Sequence, residues 1–259
     1  MIFVSAVASS QELGVAAASD LQFVFKEIAD KFEKETGNSL RVSFGSSGNF
    51  YAQIQNGAPF DLFFSADLDY PQKLEAQGFG EPGTMYQYAR GKIVLWIPNE
   101  VPIDPNQGLK ILLDPRIKKI AIANPAHAPY GRAAVAAFKS AGIYEKIADK
   151  LIFGENISQA AHFVASGNAE AGILALSTAI SPMIGPRGKY FVIPLDSYPP
   201  LDQGAIILKA SSKKEQARCF LDFIQRPEIL ELMKQYGFES QTTQKKKDKA
   251  CSCCRNATK

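Results

Sequence analysis

Four short stretches place small, hydroxylic or backbone-exposing residues where a helix is expected to begin: Ser19, Ser46-Ser47, Tyr130-Gly131 and Asn156-Ile157-Ser158. The first amides of a helix have no partner within it, and the helix dipole leaves its N-terminus partly positive. Turns of this kind therefore receive anions. Ser and Asn ahead of a helix are equally ordinary N-caps, stabilising by ~0.5–2 kcal/mol with no ligand at all. The residues alone leave both roles open. What favours an anion is number: two turns in each half of the chain can converge on one place.

Reactive side chains are few. The only two histidines are His127, in a loop, and His162, on a helical stretch beside Phe163, where it reads as a packed or rim residue. No Cys/His spacing suits a metal, and there is no Gly-x-Ser-x-Gly elbow, dinucleotide fingerprint or phosphate-loop lysine. Asp61, Asp67 and Asp69 stand at the starts of a strand, a turn and a helix and read as caps. The expectation is a binding protein without catalytic residues, direct metal ligands or a cofactor.

The elements that would position these turns alternate. An apolar strand at 14–19 leads into a helix with Leu21, Val24, Phe25, Ile28 and Phe32 at helical spacing, stopped at Gly37. Strands follow at 40–44 and 61–66, each with a helix behind it, and a longer strand at 92–98. A Pro- and Asn-rich stretch through Gln107 precedes a second series: strands at 118–124, 150–154, 171–177 and 189–195, with helices at 132–140 and 157–166. A last strand at 204–209 and two helices, 213–225 and 227–236, close the body. Repeated strand-helix units predict a mostly parallel, doubly covered sheet in each of two lobes, with a cleft between them.

With 259 residues, 46% hydrophobic and 21% charged, the chain has room for two modest cores and an ordinary globular composition. No apolar run nears the ~18–20 residues that span a bilayer, so a soluble protein is expected. The net charge of +3 is misleading, because Lys245, Lys246, Lys247, Lys249, Arg255 and Lys259 against Asp248 put +5 in the tail and leave −2 on the body. A nucleic-acid binder needs its cations on the folded surface, so nucleic acid is set aside. Cys219 lies in a helical pattern while Cys251, Cys253 and Cys254 crowd the tail, which leaves the body without an intradomain pair. Residues 1–13 read as an extension containing a truncated export signal, with Ala6-Val7-Ala8 as the cleavage-type triplet, or else as a ragged end or first strand. Residues 244–259 read as a disordered basic tail: a tag, a fusion scar or a soft-metal segment.

In order along the chain, AAASDL (16–21), SFGSSG (43–48), GAPFDLFFSAD (57–67), ANPAHAPYG (123–131), ENISQA (155–160), AGILALS (171–177) and YGF (236–238) make residues 14–238 similar to the periplasmic molybdate-binding proteins of bacterial ABC importers. The resemblance implies an α/β fold of the two-lobed type II periplasmic binding protein kind, its ligand cleft lying between two mixed, mainly parallel sheets. It implies lobe I from 14–88 plus 210–243 and lobe II from 89–209. It also implies an exported, periplasmic monomer that binds molybdate or tungstate and delivers it to a membrane permease; the alternative is a receptor for another tetrahedral oxyanion such as sulfate. Carried over by motif, the contacts to the anion are Ser19 and Ser47 through hydroxyl and backbone, and Tyr130 and Ile157 through the main chain. Many members also donate a Tyr hydroxyl from the strand where this chain has Ala175. The Asp20 amide or the Tyr130 hydroxyl is expected in its place.

Overall fold

A computed structural model of the chain describes residues 12–239. Ten strands are present among them: β1 (Leu13–Ala18), β2 (Leu40–Gly45), β3 (Leu62–Ser65), β4 (Tyr86–Gly91), β5 (Ile93–Pro98), β6 (Ile120–Ala123), β7 (Leu151–Gly154), β8 (Ala171–Ala175), β9 (Gly188–Val192) and β10 (Leu201–Ile207). The helices are α1 (Gln22–Thr36), α2 (Ser47–Gln55), α3 (Asp69–Ala76), α4 (Pro129–Ser140), α5 (Tyr144–Ile147), α6 (Ile157–Ala165), α7 (Leu176–Ala179), α8 (Lys214–Ile224) and α9 (Pro227–Gln235), with short 3-10 turns between them.

The strands form two five-stranded sheets, ordered β2-β1-β3-β10-β4 and β7-β6-β8-β5-β9. The first is the floor of lobe I and the second of lobe II. β1 and β5, each with a strand on either side, are apolar throughout because both of their faces are covered. All six residues of β1 (LGVAAA) and of β5 (IVLWIP) are buried. α1 presents Val24, Phe25, Ile28 and Phe32 to the lobe I sheet and ends where Gly37 takes φ 72°, a left-handed conformation that suits glycine. Phe32 and Phe25 meet Phe220 of α8 edge-on at 5.0 and 6.0 Å, and Phe25 meets Phe64 of β3 at 5.0 Å. Each such ring contributes on the order of 1.5–3 kcal/mol by leaving water. The C-terminal helices therefore belong to lobe I although they follow lobe II in sequence.

Three expectations need correcting. Neither sheet is mainly parallel: in lobe I two pairings are parallel and two antiparallel, and lobe II divides the same way. The antiparallel pairings arise where the chain changes lobes, through Lys92 between β4 and β5 and through residues 193–200 between β9 and β10. The lobe II range of 89–209 is also too wide at both ends, because β4 and β10 both pair within the first sheet. Finally, Leu13 is not part of a leading extension; it begins β1, opposite Leu40. The remaining readings on residues 1–11, and all of those on 244–259, lie outside the described residues.

Candidate interlobe anion site

The carboxyl ends of β1, β2 and β3 in lobe I face those of β6 and β7 in lobe II. At each crossover a helix starts. The 3-10 turn Ser19–Leu21 follows β1, α2 follows β2, α4 follows the loop after β6, and α6 follows β7. Their first residues line one small cavity together with Ala18, Asp20, Gly45, Ser46, Ala66, Ala128, Pro129 and Asn156. Ser19, Ser47, Tyr130 and Ile157, predicted from four separate stretches, all border it, each no more than 4% exposed. Ser47 and Ile157 are the first residues of α2 and α6, and Tyr130 is the second of α4, so their amides have no acceptor within the helix. Pro129 at the start of α4 has no N–H to satisfy and holds φ near the helical value.

The hydroxyls are arranged to donate. Ser47 Oγ accepts from the Ala66 amide at 3.0 Å, which leaves its own hydrogen unassigned. Ser19 Oγ donates to Asn156 Oδ1 at 3.3 Å and accepts from Ser158 N at 3.4 Å, both at the long end for hydrogen bonds and readily exchanged. Asn156 itself is a true N-cap, taking the Gln159 amide at 3.0 Å. Asn156 thus caps α6 through Gln159, while the Ile157 amide has no acceptor within the helix.

The lobes are drawn together over the cavity. Ser46 Oγ and the Gly48 amide both donate to the His127 carbonyl, at 2.7 and 2.9 Å, and Asn49 Nδ2 reaches Glu155 Oε1 at 3.0 Å. Gly48 can be nothing larger: a Cβ there would lie 2.6 Å from both the His127 carbonyl and the Tyr70 hydroxyl. Arg132 Nη2 of lobe II pairs with Asp67 Oδ2 of lobe I at 2.5 Å. Burial nonetheless raises the Asp67 carboxyl, against the opposing pull of the Tyr70 amide and Arg132.

Behind the cavity lies a buried polar cluster that sequence reasoning missed. Asp20 Oδ2 accepts from Gln203 Nε2 at 2.7 Å and from the Tyr130 hydroxyl at 2.9 Å, and Gln203 Nε2 also reaches the Tyr130 oxygen at 3.0 Å. Ser177 Oγ donates to the Asp20 carbonyl at 2.9 Å. Burial pushes the Asp20 carboxyl up to about 6, opposed by the hydrogen bonds from Gln203 and Tyr130. The Tyr130 hydroxyl is raised well above its usual value by burial and by Asp20. That hydroxyl, one of the two groups expected in place of the missing Tyr donor beside the Asp20 amide, is hydrogen-bonded to Asp20. Ala175 is buried at the end of β8 and is not among the residues lining the cavity. Gln203 precedes the apolar run 204–207 of β10 and is 0% exposed.

The other candidates have structural roles. Asp61 accepts from the Gly14 amide and Ser211 Oγ, at 2.8 and 2.7 Å. His162 is exposed on α6. No group of three or more His, Cys, Asp or Glu among the described residues is placed to hold a metal ion, and no helix among them is long and apolar enough to cross a membrane.

Two lobes closing donors over one cavity is the architecture of a receptor, and comparison with known proteins decides which kind. The sequence profile of the bacterial extracellular solute-binding proteins matches residues 13–239. This chain is a member of that family. Among relatives of this solute-binding protein, the molybdate-binding protein ModA of Rhodobacter capsulatus is 38% identical over 231 residues, covering 89% of each chain. The protein of the same name from Azotobacter vinelandii is 41% identical over 231 residues, covering 89% of this chain and 91% of its own. The solved structure of the Azotobacter vinelandii periplasmic molybdate-binding protein superposes with a TM-score of 0.83 at 36% identity, over 88% of this chain and 99% of that one.

Proposed function

We propose that this solute-binding protein captures molybdate, with tungstate as its near-isostere, in the interlobe cavity and delivers it to the permease of an ABC importer. The observation that carries the reading is the convergence of four helix starts, two from each lobe, on one buried cavity lined by Ser19, Ser47, Tyr130 and Ile157. The names of its relatives in Rhodobacter and Azotobacter supply the ligand. Ser19 and Ser47 give hydroxyl and amide donors, Tyr130 and Ile157 give amides, and Asp20 is a further contact. The metal atom is held through its oxygens, with no direct protein ligand. No catalytic step and no cofactor are required, and the protein acts as a periplasmic monomer.

A dianion is held by neutral donors when every oxygen finds one, and a site made of donors disfavours an anion carrying its own proton. That sets phosphate aside near neutrality. Sulfate is unprotonated too, so it is rejected on size: the smaller anion leaves some donors unpaired. Thermal unfolding of dialysed protein with equal concentrations of molybdate, tungstate, sulfate and phosphate tests this, because a ligand of the folded state raises Tm as RT ln(1 + [L]/Kd). A large shift with molybdate and tungstate alone is expected. A shift with sulfate alone would make it a sulfate receptor, and no shift with any would refute the oxyanion reading.

A further inference from the structure

Among the described residues lining the cavity Asp20 is the only charged one, and it has the wrong sign for an anion site. Its two oxygens are treated differently. Oδ2 accepts from Gln203 and Tyr130, whereas Oδ1 is buried with no hydrogen-bond partner, as is Gln203 Oε1 in the same cluster. Around it stand Tyr130 from α4, Gln203 from β10, Ser177 from α7 and the Tyr88 phenol from β4, whose own ionisation Asp20 opposes. Beyond Tyr88 lies Asp67, which is tied to Arg132. No cation among the described residues is hydrogen-bonded to Asp20. A carboxylate so enclosed, beside a cavity that takes a dianion, is compatible with that ligand only when a proton lies between them.

We propose that Asp20 sets the specificity of the oxyanion site by acting in its neutral form: as the lobes close, the carboxyl takes one proton from solvent, carries it on Oδ1, and donates it to an oxygen of the anion. This rests on the oxyanion reading and deepens it. No other bond is made or broken; an ionised Asp20, one proton and the free anion become one closed complex. The carboxyl then completes a set of donors and rejects an anion whose own O–H would meet the Oδ1 hydrogen head-on. The energetics agree. Enclosure raises Asp20 from the ordinary value of 3.8 to about 6 before any ligand enters. A neighbouring dianion raises it further. Capture therefore tightens as pH falls through this range, by up to about tenfold per pH unit.

The test is calorimetric titration of the whole protein with sodium molybdate between pH 5.5 and 7.5, in pairs of buffers differing in heat of protonation. For the wild type, the binding heat is expected to depend on the buffer with uptake approaching one proton, and Kd to fall several-fold per pH unit on acidification. Asp20→Asn keeps the size and a neutral donor. It is expected to show no proton uptake and a nearly flat profile, and to bind at least as tightly as wild type at pH 7.5. Tyr130→Phe removes a hydrogen bond to the ionised carboxyl and should move the wild-type midpoint to higher pH. Equal proton uptake and equal pH slopes in wild type and Asp20→Asn would overturn the proposal while leaving the oxyanion site standing. The absence of any binding heat in both proteins would overturn the oxyanion reading, and this inference with it.

Discussion

Replacing Ser47 by Ala separates a ligand-binding serine from a purely structural one, because the structure gives its oxygen two separable tasks. The side chain is 1% exposed, and its Oγ is the acceptor for the buried Ala66 amide at 3.0 Å. Removing it leaves that amide unsatisfied in the protein without ligand, at a cost of ~1–3 kcal/mol of stability. For a chain of this size each kcal/mol lowers Tm by about 2–4 °C. The second loss appears only with ligand present. The hydroxyl hydrogen that Ala66 leaves free goes to a charged oxygen, a bond of about 1.5–3 kcal/mol, so Kd should rise by roughly 10- to 150-fold. Ser46→Ala is the control. Its Oγ joins the lobes through the His127 carbonyl at 2.7 Å, so it should weaken binding through closure alone, by about tenfold or less. Calorimetry with molybdate and thermal unfolding without it measure the two losses. If Ser47→Ala lowers Tm yet binds molybdate within twofold of wild type, Ser47 serves only to satisfy the Ala66 amide and the assignment of the site is wrong.

Gly131→Ala should press a methyl group on the Ala123 carbonyl and distort the first turn of α4, where the Tyr130 amide sits; a molybdate Kd unchanged by calorimetry would refute that amide's role. Arg132→Ala removes an interlobe ion pair whose side chains are 41% and 13% exposed, so binding should weaken by less than ~1 kcal/mol and the difference should vanish in 1 M salt; a larger, salt-independent loss would contradict this. Phe220→Ala empties the centre of the aromatic cluster with Phe25, Phe32 and Phe64 and should cost about 3–5 kcal/mol in urea unfolding, whereas a loss under 1 kcal/mol would mean the cluster collapses to fill the space. The folded protein holds the Asp20 proton more tightly than the unfolded chain does. The stability this adds is complete only below about pH 4 and is lost as pH rises through about 6, so Asp20→Asn should gain ~2 kcal/mol over wild type between pH 4.5 and 7.5; an equal difference at both pH values by urea titration would refute the shift.

What could be read from the sequence was local. Ser19, Ser47, Tyr130 and Ile157 each stand at a strand-to-helix turn, and turns announce themselves by residue type and by a change of periodicity within a few residues. β4 was not foreseen because Tyr86, Gln87, Tyr88 and Arg90 carry no aliphatic alternation; it is an edge strand whose pairing comes from β10, far along the chain. Gln203 was missed for a related reason. Its partners Asp20 and Tyr130 lie 183 and 73 residues away, and no spacing rule reaches that far. The boundary of lobe II failed at β10 because an apolar strand fits either sheet equally well, and only its neighbours β3 and β4 decide between them.

The position of β10 also fixes an order of assembly. It is inserted between β3 and β4, so the first lobe has a gap in its sheet until residue 207 is in place, and α8 and α9 cannot cover that sheet any earlier. The second sheet draws all its strands from the unbroken stretch 93–192 and lacks nothing once that stretch exists. A chain that emerges from its N-terminus therefore completes its second lobe first. Half of the cavity's donors are then held by a finished body while the other half waits on a long-range, late-closing strand, the kind of contact that is slowest to form.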